Sequence, residues 1–78
     1  MFAVIVLAET DGEFREVSRT VYPTLRGAIN RSGREKRHFT AKGYQTVFSR
    51  YAKAEGYSTL FLHSRDQDDV RIVIAEEN

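Results

Sequence analysis

The side chains with most chemical potential in this 78-residue chain are two histidines, a short acidic cluster and a long series of cations. His38 and His63 lie far apart, and no serine stands in a Gly-x-Ser-x-Gly elbow, so a nucleophile–base pair has no sequence support. Asp66, Asp68 and Asp69 could offer oxygen ligands to calcium or magnesium. They lack the central Gly and terminal bidentate Glu of a twelve-residue calcium loop, and the segment reads as a solvated turn. Zinc would need partners for His38 and His63 that no spacing supplies. Cysteine is absent, which excludes thiol nucleophiles, disulfides and Cys-based metal sites together. The glycines are scattered and form no phosphate loop. The expectation is a non-enzymatic binding protein with no metal or cofactor.

The cations carry the one clear functional signal. Between Thr24 and Lys53 there are eight basic residues (Arg26, Arg31, Arg34, Lys36, Arg37, Lys42, Arg50, Lys53) and one acid, Glu35, a charge of +7. The remainder holds four basic residues and ten acids, −6, which together give the formal net charge of +1. A nearly neutral chain is therefore strongly dipolar. The densest stretch is REKRHF, residues 34–39. The candidate contact set is Arg31, Arg34, Lys36, Arg37, Lys42, Arg50 and Lys53. Such a surface fits nucleic acid or a nucleoprotein complex, with Asn30, Ser32, Gln45 and Ser49 as neutral phosphate partners. About four phosphate contacts on duplex DNA would give a log–log salt slope of about −3.6. The alternative is an acidic protein surface, met by a protein–protein inhibitor or regulator. Small anti-defence proteins of phages and mobile elements have this build, as a compositional analogy, and Tyr or Phe beside Arg suits protein hot spots. A third reading has the cations neutralised by acids of the same molecule or of a dimer mate, in surface pairs worth ~0–1 kcal/mol each.

Elements must position these residues. Residues 2–9 are an apolar run of strand length; it resembles a signal-peptide core but lacks a basic flank and reads as a buried strand. Asp11 and Gly12 suit a two-residue hairpin turn. The hairpin pairs Val6 with Val17, Ile5 with Ser18 and Phe2 with Val21, with the first strand interior and the polar second strand (14–21) nearer an edge. After Pro23, Leu25, Ala28 and Ile29 predict a short helix over 24–31 stopped by Gly33. Residues 34–39 then read as a link. Tyr44, Val47, Phe48, Tyr51 and Ala52 recur at helical spacing and predict a second helix from an N-cap at Thr40 to a stop at Gly56. A six-residue link is long for a helix-turn-helix motif. Residues 58–63 and 70–75 read as two further strands.

The fold expected is α+β, ββααββ: a four-stranded antiparallel sheet with two helices packed on one face. Length allows a single domain over 1–78, and 41% hydrophobic with 29% charged residues is a globular composition. The expected core is Val4, Val6, Leu25, Ile29, Val47, Phe48, Tyr51, Leu60, Ile72 and Ile74. The uncovered sheet face could support a homodimer. Lack of cysteine favours the cytoplasm, and no apolar run reaches the ~20 residues that span a bilayer.

Overall fold

The computed structural model describes residues 1–52 and 57–77, leaving aside the side chains of Phe48, Arg50, Tyr51, Ala52 and Tyr57. The order is β1 (Phe2–Thr10), β2 (Glu13–Tyr22), α1 (Leu25–Thr40), β3 (Gln45–Ala52), β4 (Tyr57–Ser64) and β5 (Gln67–Glu76). The strands form one antiparallel sheet in the order β2-β1-β5-β4-β3. α1 crosses one face, packing on β5, β1 and β2. The architecture is α+β, but with five strands and one helix instead of four strands and two helices.

The differences arise at Gly33, which the helix passes through, and over residues 45–52, which form a strand. Gly33 does not stop the helix; α1 runs through it to Thr40, so REKRHF is its C-terminal half and not a link. The apolar period explains this. Leu25, Ala28, Ser32 and Phe39 share one face only if the helix is unbroken, and that face is the one turned to the sheet. Arg31 and Glu35, one turn apart, brace the middle. Thr24 is the N-cap, its Oγ1 accepting the Gly27 N–H at 3.1 Å, and Pro23 lies outside the helix. Gly27 suits close packing, since a Cβ there would approach Tyr22 Cδ1 to 3.2 Å and the ring would have to give by a few tenths of an ångström.

The helix ends where Gly43 adopts φ +96, a left-handed conformation that side chains resist. Beyond it the β-branched Thr46 and the aromatic Phe48 pair with β4 instead of coiling. The helix-turn-helix comparison lapses with the second helix.

The hairpin turn is as expected, with Asp11 at φ 54 and Gly12 at φ 82. Its register holds only near the turn: Thr10 faces Glu13 and Leu7 faces Glu16, but Val6 faces Ser18 and Phe2 faces Tyr22. Val17 is the extra residue of a bulge. β3 carries a matching bulge at Val47, between the pairs Thr46–Leu62 and Phe48–Phe61. Both bulged valines are exposed, 62% and 64%, and both lie on the two edge strands. Bulges blunt an edge against pairing with further strands.

The core lies between α1 and the sheet: Val4, Val6, Ala28, Tyr44, Leu62, Val70, Ile72 and Ile74. Leu25 and Leu60 pack partly against it, as does Phe39. Ile29 and Val47, expected inside, are exposed; the side chains of Phe48 and Tyr51 lie outside those described. On the opposite sheet face Ile5, Leu7, Phe14, Phe61 and Val73 are half-buried without a covering helix. Arg71 stacks there over both phenyl rings, 4.6 Å from the centroid of Phe61 and 5.5 Å from that of Phe14.

Candidate nucleic-acid interface

The unbroken helix reorganises the cations. Arg26, Asn30, Gly33 and Arg37 recur at i, i+4, i+7 and i+11, opposite Ala28 and Ser32. They form a crest about 16 Å long on the solvent side of α1. Arg34 and Lys36 flank this crest and, like Arg26, Asn30 and Arg37, are exposed. The small residues Ala28 and Ser32 underneath let the helix lie close to the sheet.

Of the seven predicted contact residues, Arg34, Lys36 and Arg37 come together on this crest. Arg31 is half-buried, and its guanidinium meets Glu35 Oε1 at 3.0 and 3.1 Å, which neutralises its charge locally. Lys42 lies beyond the helix end. Its carbonyl accepts from Gln67 Nε2 at 3.0 Å, and it borders the β4–β5 turn with His63, Arg65 and Asp66. Arg50 belongs to β3, with its side chain outside those described, and Lys53 lies outside the described residues altogether. Arg26 joins the crest although it was not in the predicted set. The spacing 26, 30, 33, 37 was readable, but only by carrying the helix through Gly33.

Apart from Glu35 on Arg31, the described acids that form ion pairs do so elsewhere. Glu16 and Glu77 bind Arg19, Glu13 is 3.7 Å from Arg15, and Asp69 Oδ1 is 2.6 Å from His63 Nδ1. Among the described residues Arg26, Arg34, Lys36 and Arg37 form no salt bridge. The described acids therefore do not neutralise these four. The β1–β2 and β4–β5 turns, with Asp11, Glu13, Asp66 and Asp68, project from the same end of the sheet. The charge separation is thus between a helix face and a sheet end.

The aromatic residues near the cations face inward. Phe39 stacks edge-on against Tyr44 with centroids 5.3 Å apart, and Tyr44 is buried with its hydroxyl donating to the Asp68 carbonyl at 2.7 Å. Burial first, then the negative charges of Asp68 and Asp69, push the Tyr44 phenol above its ordinary value of 10.0. Among the described residues, no group of three or more His, Asp or Glu side chains converges as a metal cage. Compared with known proteins, the chain matches no family model, no curated protein and no solved structure.

Proposed function

We propose that this chain is a binding protein that engages the phosphate backbone of nucleic acid, free or within a nucleoprotein complex, through the outer face of α1. The observation that carries this reading is the crest with its flanks: Arg26, Arg34, Lys36 and Arg37 are exposed and form no salt bridge among the described residues, with Asn30 between them. Phosphates are met by such side chains in any base sequence, because the contacts are to charge and to non-bridging oxygens. A protein hot spot would call for aromatic anchors at the centre of the patch. Here the nearest, Phe39 and Tyr44, are spent on the core. The competing reading, docking on an acidic protein, is favoured by one observation: Ile29 is 45% exposed beside the cations.

A salt series with duplex DNA, single-stranded DNA and RNA tests the proposal. Four contacts predict a log–log slope of about −3.6 on duplex and about −2.8 on single strands. Absence of binding to all three at about 50 mM salt, where such contacts are strongest, would overturn it and leave the acidic protein surface.

A further inference from the structure

Gly33 is the residue of α1 with no internal reason to be glycine. A mid-helix glycine weakens a helix by about 1 kcal/mol relative to alanine. Gly27 has a packing reason in Tyr22, and Gly12 and Gly43 have positive φ. At Gly33 the backbone is helical, and an added Cβ would meet only Arg37 Nη1, at an ordinary 3.5 Å. The missing side chain instead opens a notch at the centre of the cationic crest. On a helix surface the neighbours of position 33 are 29, 30, 36 and 37. Here these are Ile29, Asn30, Lys36 and Arg37, with Arg34 alongside, and Ile29, Asn30, Arg34 and Arg37 line a shallow depression at Gly33.

We infer that this notch seats one phosphate group of the bound strand, a reading that rests on the nucleic-acid proposal and deepens it. Without a Cβ, a tetrahedral phosphodiester can approach the helix backbone more closely than at any neighbouring crest position. At that depth its two non-bridging oxygens come within reach of the Arg37 and Arg34 guanidinium groups, which bind such oxygens in a fork. The Asn30 amide supplies a neutral donor from the turn below. Close packing of a foreign apolar helix at Gly33 is disfavoured, because it would strip water from Arg34, Lys36 and Arg37 without returning a counter-charge. The negative end of the helix dipole does not oppose the anion, since its effect fades within the last turn and Gly33 lies seven residues before Thr40.

Gly33→Ala tests this, because its two effects run in opposite directions. The full-length variant should unfold at a higher denaturant midpoint than the parent, yet bind a fluorescent oligonucleotide about tenfold more weakly, the loss of one charge-assisted hydrogen bond. The formal charge is unchanged, so the salt slope reports contacts: it should fall by about 0.9 on duplex DNA if one phosphate is lost. Arg37→Gln should give a similar loss, and the double variant should lose less than the two added together, because both act on one phosphate. If the parent binds with the expected slope but Gly33→Ala binds equally well, the notch is not a phosphate seat while the crest proposal stands. If the parent binds no nucleic acid, the crest proposal itself falls.

Discussion

Tyr44 shows how one side chain ties three elements together. It follows the helix stop at Gly43, buries its ring against Phe39, and reaches Asp68 in β5 with its hydroxyl. That carbonyl lies at the irregular end of the β4–β5 ladder, where pairing slips between Leu62–Val70 and Ser64–Gln67. Tyr44→Phe should lower unfolding free energy by about 1 kcal/mol, the net value of a typical hydrogen bond. A pH dependence follows as well. The folded phenol holds its proton above its ordinary value of 10.0, so its contribution is complete below pH 10. As pH rises beyond 10 the unfolded phenol ionises first, and stability is lost until the folded group ionises too. Denaturant titrations from pH 8 to 11 should show this alkaline loss in the parent, reduced in Tyr44→Phe. A parent and variant with identical alkaline slopes would sink the assignment. None of this was visible in the sequence, where Tyr44 looked like the first residue of a helical stripe.

At the scale of elements, β3 is the sharpest contrast between period and pairing. Tyr44, Val47, Phe48 and Tyr51 satisfy a helical spacing, and the same residues are good strand formers. Periodicity alone could not decide between them. The bulge at Val47 adds one residue to β3, so its alternation is broken and a strand looks like a helix in sequence. A direct check follows. In a core helix, Val47→Lys would bury a charge; at an exposed bulge it should change stability by less than about 0.5 kcal/mol. Leu62→Ala, a fully buried position on the adjacent strand, should cost about 2–5 kcal/mol. Denaturant unfolding of both variants distinguishes the cases, and a large loss for Val47→Lys would contradict the strand assignment. The strands flanked by clear turns, β1, β4 and β5, were legible because their apolar runs end at Asp11–Gly12 or at the polar residues 64–69.

Across the whole molecule, the helix covers one sheet face and leaves the other to its own side chains. Arg71 over Phe14 and Phe61, with Arg19 bound to Glu16 and Glu77, closes part of that second face. Pairing of two copies through it predicts a light-scattering mass of twice 9.0 kDa at high micromolar concentration. A mass of 9.0 kDa there removes the homodimer. Among the described residues no helix is long and apolar enough to cross a membrane.

Composition and local chemistry settle the α+β class, the Asp11–Gly12 turn, four of the five strands and the concentration of positive charge between residues 24 and 53. These follow from short-range rules that neighbours in sequence enforce. The tertiary structure alone decides that α1 continues through Gly33 and that residues 45–52 pair with β4. Phe39 must reach the core on the same face as Leu25, and β4 leaves a ladder edge for β3 to fill. Those two long-range demands outweigh a glycine's helix-stopping tendency and an ambiguous period. They also turn a scattered set of cations into one crest, because only a continuous helix brings Arg26 into line with Arg37.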